Sequence, residues 1–192
     1  MPFSVMLNLK GTHGTTKTRY NTICSERFNC KGEGQRGTGA YFWEDSPYSE
    51  DLAIAWYLSR MASGIYSRDA DKTCTILTAC LNLPEDEFLN LESAEMKSLL
   101  LELIKDKDIP DNRNNGAYLH DLFIEMMEKV LGNPINVFRV NVYPPRKPRC
   151  YPGQLVGQAG CYVARTPKCI TINKSEFYNS EDLKTWKTAK ES

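Results

Sequence analysis

Hydrophobic and polar positions alternate at the start of the chain. Phe3, Val5, Leu7 and Leu9 interleave with Ser4, Met6 and Asn8, the period of two that marks a strand. The strand is expected to run into Gly11-Thr12-His13-Gly14-Thr15-Thr16, where Thr15 or Thr16 caps a helix that turns Tyr20 and Ile23 inward. Glycines at 32, 34, 37 and 39 make 29–39 a loop. Ala40-Tyr41-Phe42-Trp43 then reads as a short apolar strand, and Ser46 with Pro47 as the cap and first position of a second helix. A buried strand is expected over 73–81. Beyond it the period changes to that of helices. Met96, Leu99, Leu100, Leu103 and Ile104 form one stripe; Leu119, Leu122, Phe123, Met126, Met127, Val130 and Leu131 form another, stopped by Gly132. Ile135, Val137, Val140 and Val142 indicate a strand ending at Pro144-Pro145, 146–160 a loop, and 161–172 a further strand. The polar stretch from Ser180 is either a short helix or a frayed tail. Strands at both ends around a helical middle suit an α+β domain: one domain over 1–192, with a helical insert at about 92–132.

Composition narrows the function classes. With 24 basic and 24 acidic residues the formal net charge is +0, which excludes a globally basic nucleic-acid binder and leaves room only for a local patch. No apolar run approaches the roughly 20 residues that span a bilayer, and the first residues lack the basic region and cleavage site of a signal peptide. Seven cysteines, odd in number and without a CxxC pair, accompany two histidines, His13 and His120. That set points away from a zinc site or a disulfide framework and toward reduced thiols in a cytoplasmic protein with no metal.

The chemistry-bearing unit is His13-Gly14-Thr15, followed by Gly37-Thr38-Gly39-Ala40-Tyr41-Phe42-Trp43-Glu44-Asp45 and a helix. Toward the other end stands Arg165-Thr166-Pro167-Lys168-Cys169-Ile170. In order and spacing this resembles the ADP-ribosyltransferases of the poly-ADP-ribose-polymerase and diphtheria-toxin branch. There an H-G-[ST] strand end is followed by G-x-G-x-Y-F, and a bacterial group has a Y-F-W-E-D form of the second motif and a strand ending R-N-P-x-C-I. The resemblance covers about 5–57 and 135–172 and leaves the helical middle without a motif. It implies a split β-sheet core with a helical insert, NAD⁺ as co-substrate, and transfer of ADP-ribose to a macromolecular acceptor, protein, RNA or DNA. Bacterial proteins of this kind are often toxins of toxin–antitoxin or phage-defence modules, which implies a cognate antitoxin partner.

The residue types suit that role. An imidazole at His13 hydrogen-bonds a ribose hydroxyl without charging at neutral pH. Gly14 lets a strand approach the nicotinamide amide, with Thr15 beside it. Tyr41 packs a flat ring on nicotinamide and Trp56 closes the other face. Lys31 and Arg36 of the glycine-rich loop are expected near the diphosphate. Where many relatives place a glutamate or glutamine on the strand after the variable loop, this chain has Cys161, with Gln158 three residues upstream and Glu176 beyond the strand. Three readings follow: a transferase using Gln158 or no carboxylate, a catalytically silent NAD⁺- or ADP-ribose-binding interaction module, or, least supported, a hydrolase built on the Cys161 thiol. Beside these stand blander readings. His120 lies off the apolar stripe of its helix, some of Tyr41, Phe42 and Trp43 are core, and Arg146, Lys147 and Arg149 are a solvated loop face more readily than a contact for an anionic target.

Overall fold

The protein is described from a computed structural model that covers residues 5–112, 115–145 and 150–191. Phe3 and the basic positions Arg146, Lys147 and Arg149 lie outside the described residues. Strand β1 (Met6–Thr16) is the spine of the molecule. It pairs antiparallel along its whole length with β5 (Cys74–Pro84), from Met6↔Pro84 to Thr16↔Cys74. On its other side it meets β4 (Ala40–Glu44) at two positions, Gly11↔Glu44 and Thr12↔Trp43. A Cβ on Gly11 would lie 2.8 Å from the Trp43 carbonyl oxygen and 2.9 Å from the Phe42 Cβ, so the backbones press together there. Beyond Thr12 they diverge.

That divergence splits a seven-stranded mixed sheet into two lobes, with strand order β6-β7-β8-β4-β1-β5-β9. The first lobe joins β4 to β8 (Ala159–Ala164), then to β7 (Val137–Val142), which pairs in parallel with β6 (Phe88–Asn90). The second joins β1 and β5 to β9 (Ile170–Tyr178). The lobes curl toward each other. Leu77, Ala79, Leu81 and Leu83 of β5 share one buried cluster with Val137, Tyr162 and Ala164 of the other lobe. The expectation of an α+β fold with a split sheet is met.

The first helix packs Tyr20 and Ile23 on that cluster, and the later helices cover the opposite face. Helix α2 (Ser49–Ala62) lies directly on β1: Thr12 donates its hydroxyl to the Ser49 carbonyl at 2.7 Å, and a Cβ on Gly14 would sit 2.1 Å from the Ala53 carbonyl oxygen. Helices α3 (Ala94–Asp106) and α4 (Gly116–Leu131) complete that core through Leu103, Phe123, Ile124 and Met127. Helix α1 (Lys17–Glu26) follows β1 with Thr16 as cap, its side chain accepting from the Arg19 N–H at 3.2 Å. The polar C-terminal stretch is helix α6 (Ser180–Glu191), fastened to the first turn of α2 by Trp186, whose indole N–H donates to Asp51 at 2.7 Å, and by the Lys190–Asp51 ion pair.

Several boundaries differ from expectation for identifiable reasons. Helix α2 starts at Ser49, because Ser46 first closes a turn: its hydroxyl accepts from the Tyr48 N–H at 3.2 Å and its carbonyl from the Ser49 N–H at 3.1 Å. The expected strand over 161–172 is two strands, broken at Arg165-Thr166-Pro167 by a 3-10 turn over Pro167–Cys169. The glycine-rich loop contains a miniature hairpin, β2 (Glu33–Gly34) and β3 (Gly37–Thr38). The buried face of α4 is rotated from the expected stripe. It includes His120, whereas Val130 and Leu131 are exposed. His120 is therefore a packed residue, its Nδ1 donating to the Gly116 carbonyl at 2.7 Å. A short turn, α5 (Gly153–Val156), lies in the loop before β8.

Candidate functional site

Where β1 and β4 part, a cleft of about 720 Å³ opens, within the usual size range for small-molecule sites. Residues from β1, α1, the 28–35 loop, β4, α2 and Tyr66 line it. The cleft brings together His13, Gly14, Thr15, Tyr41, Trp56 and Cys161. Gln158 and Arg36 are not among its lining residues, and neither is Lys31.

His13 bridges the divergence. Its Nδ1 lies 2.9 Å from the Tyr41 carbonyl oxygen. A carbonyl only accepts, so the proton sits on Nδ1 and Nε2 keeps a lone pair. Phe28 meets the ring edge-on at 5.4 Å and Phe42 leans on it at 5.6 Å. Burial pulls the imidazole pKa below its ordinary value; the Tyr41 carbonyl opposes this and Arg19 reinforces it. The ring is neutral at pH 7 and has one fixed acceptor nitrogen. Next to it, Thr15 is buried and hydrogen-bonded to Tyr66.

Tyr41 is immobilised. Its hydroxyl donates to the Gly37 carbonyl at 2.7 Å and accepts from the Arg36 N–H at 2.9 Å. A Cβ on Gly34 would lie 2.2 Å from the ring, so only glycine allows the hairpin to close over it. Burial pushes the phenol pKa far up. Tyr41 therefore offers a ring surface, and no proton transfer. Arg36 contributes its backbone to this arrangement. Gly14 also has a different role from the one expected: the space its missing Cβ leaves is filled by α2.

The helical middle takes part, which its sequence did not announce. Asp121 of α4 accepts from both the Thr38 N–H, at 2.8 Å, and the Thr38 hydroxyl, at 2.7 Å. A Cβ on Gly116 would come within 2.6 Å of the Gln35 carbonyl oxygen. Helix α4 thus clamps the hairpin that fixes Tyr41.

Cys161 lies on the cleft floor, in register with Trp43. It is 1% exposed, and burial drives its thiol pKa far up. A thiol buried this deeply and held protonated is a poor nucleophile, which weighs against the thiol reading and for packing. Gln158 precedes β8, where its backbone carbonyl accepts from the Tyr151 hydroxyl at 3.5 Å. Glu176 sits on β9, opposite Ile76 and ion-paired with Lys174 at 2.9 Å. Among the described residues, the carboxylates lining the cleft are Glu26 and Glu33, both exposed on its rim.

Three arginines in the lining, Arg19, Arg27 and Arg60, were not anticipated, and Arg27 is exposed. The Arg19 guanidinium lies 4.6 Å from the Tyr66 ring centroid and pairs with Asp69 at 2.9 Å. The Arg60 guanidinium lies 4.2 Å from the Trp56 ring centroid. The i,i+4 spacing of Trp56 and Arg60 on a helix is the signal that could have revealed the latter. It also changes the part expected of Trp56, because one face of its ring is taken by Arg60.

No family model matches the sequence, and no curated protein matches it. A chain in the crystal structure of the M. tuberculosis MbcT-MbcA toxin-antitoxin complex is similar in structure, at 11% identity and a TM-score of 0.47, with 96% of this chain and 92% of that chain covered.

Proposed function

We propose that the cleft binds NAD⁺ and that the protein transfers ADP-ribose from it to a macromolecule, releasing nicotinamide. The observation that carries this reading is His13, a neutral imidazole locked by the Tyr41 carbonyl, whose other ring nitrogen takes no hydrogen bond among the described residues at the split of the sheet. That nitrogen suits a ribose hydroxyl, which donates. The Tyr41 ring supplies a flat apolar wall. The motif resemblance around His13-Gly14-Thr15 and Gly37–Phe42 supports the same assignment from the sequence.

The chemistry follows from what the cleft provides. The bond between the ribose anomeric carbon and the nicotinamide nitrogen breaks, and its electron pair stays with nicotinamide. The acceptor's lone pair forms the new bond at the same carbon, and its proton leaves to solvent. The carbon becomes cation-like on the way, so a hydrogen bond to the ribose that strengthens as charge develops lowers the barrier. With Glu26 and Glu33 both exposed on the rim, the cleft favours an acceptor nucleophilic enough to react without a buried base. By analogy with the resembled bacterial group, the physiological role would be that of a toxin held by an antitoxin.

Incubation of the purified protein with NAD⁺ labelled in its adenylate moiety, together with total RNA, DNA and cell lysate, tests this. Label on one macromolecular fraction, lost with His13→Ala, is the expected result. Release of nicotinamide with no label transferred would make the protein a hydrolase. The displacement of Gln158 from the cleft favours a second reading, a silent NAD⁺- or ADP-ribose-binding module. Tight binding without nicotinamide release would establish it.

A further inference from the structure

Charged side chains that line a cleft normally find a counter-charge within the protein, because desolvating an unpaired ion is costly. Arg19 follows this rule through Asp69, and its terminal nitrogen also donates to the Ile65 carbonyl at 3.0 Å. Arg60 does not. It is half-buried, it lines the cleft, and among the described residues no carboxylate pairs with it. Its contact is the Trp56 ring one helical turn away, at 4.2 Å. Trp56 is itself braced edge-on by Trp43, with centroids 6.3 Å apart and planes at 76°. The electrostatic surroundings worsen the position of the charge. Desolvation disfavours the guanidinium, and although the Tyr66 phenol eases this, Arg19 adds like-charge repulsion.

An aromatic face orients a guanidinium plane but leaves its N–H donors to be satisfied at the edges. Those donors match the paired oxygens of a phosphate, which guanidinium binds in bidentate fashion. We propose that Arg60, laid on Trp56, is the receptor for a phosphate group of the ligand that enters the cleft. Trp56 is the positioning residue that holds its plane. If the ligand is NAD⁺, an identification that rests on the reading above, the group is its diphosphate. Recognition of phosphate by Arg60 does not depend on that identification. It places the charged part of the ligand on α2, away from the 31–36 loop.

The test uses inorganic pyrophosphate, ADP-ribose, adenosine and nicotinamide as separate probes, titrated into the intact protein by calorimetry. Pyrophosphate and ADP-ribose should bind the wild type, more weakly as salt is raised. Arg60→Gln should weaken both at least tenfold and leave adenosine and nicotinamide unchanged. Arg60→Lys should recover only part of the loss, because it keeps the charge and gives up the planar fork. Trp56→Leu should weaken the two phosphate probes while Arg60 remains. Should Arg60→Gln not fold, modification of wild-type Arg60 by phenylglyoxal, mapped by mass spectrometry, replaces it, and pyrophosphate should protect that residue. Unchanged pyrophosphate and ADP-ribose affinities in folded Arg60→Gln would overturn the proposal, as would a lack of pyrophosphate binding or of protection in the wild type. Nicotinamide release is measured separately. Pyrophosphate binding through Arg60 without any NAD⁺ cleavage would refute the enzymatic reading and leave the phosphate site standing.

Discussion

Two polar clusters flank the same strands and are built on opposite principles. At the Glu44 end of β4, Arg139 makes a two-pronged contact with Glu44, at 3.0 Å from Nε and 2.7 Å from Nη2, and Tyr162 donates to the same carboxylate at 3.0 Å. The sheet is shaped around this pair, since a Cβ on Gly160 would fall 2.1 Å from a Glu44 oxygen. Each charge there has its partner. At the Tyr41 end, the polar atoms of His13 and Arg60 are held in place and left with capacity to spare. A satisfied cluster holds strands together. One that is preorganised and incomplete is a site, because the missing partner must come from outside.

The contrast can be broken at either end. The largest effect is expected at His13. His13→Ala should lower nicotinamide release by about 10²- to 10³-fold, the usual loss when a donor or acceptor that matters in the transition state is removed, with little change in thermal stability. A variant as active as wild type would remove His13 from the site. Asp121→Ala should come next, raising the KM for NAD⁺ roughly tenfold with a smaller change in kcat. It frees the hairpin over Tyr41 and touches no part of the cleft itself. An unchanged KM would mean that the clamp from α4 is dispensable.

Glu44→Gln sharpens the comparison from the other side. It should cost about 1–3 kcal/mol of stability, as loss of a charged, partly buried hydrogen-bonding partner does, with ligand affinity unchanged; denaturant melts read the first and calorimetry the second. Titration adds a finer distinction. Burial holds the folded pKa of both His13 and His120 below the ordinary 6.5. The unfolded chain therefore takes up their protons first as pH falls. Their contribution to stability is present above pH 6.5 and is lost as pH drops below it through the folded values. Turnover should be flat from about pH 8 to 6.5 and decline only on further acidification, whereas a His13 that titrates at or above 6.5 would show the fall earlier. The smallest effect is expected at Cys161. Cys161→Ser should change turnover less than about twofold, and an inactive, folded variant would restore the thiol to consideration.

How far the sequence revealed this depends on the range of the interactions involved. Alternation and glycine placement exposed β1, β4 and the loop between them, because strand period and turn chemistry are local. His13 and Tyr41 could be named for the same reason: they sit in short motifs. The two-residue meeting of β1 and β4 follows from Gly11, whose close contact is with a strand about 30 positions away in the chain, and nothing local marks it. Strand β9 was largely missed because ITINKSEFY carries no fully buried position and is held by pairing with β5. Counting back from Arg165-Thr166-Pro167 led to Cys161, and Gln158 three residues upstream could serve only through an offset or bulge in the strand; the strand begins after it, at Ala159. Asp121 and Arg60 were overlooked because each acts across elements, one from a helix without a motif and the other through a ring four residues earlier.

Amide hydrogen exchange with and without saturating ADP-ribose tests the contrast most directly. ADP-ribose is the product-side portion of NAD⁺ and cannot lose nicotinamide, so occupancy is read without turnover. The account predicts protection at 13–15, across the hairpin and Tyr41 at 33–41, and along 56–60, with 139–141 exchanging as in the free protein. Exchange unaltered throughout the first set, or protection appearing at the Glu44–Arg139 cluster in its place, would contradict it.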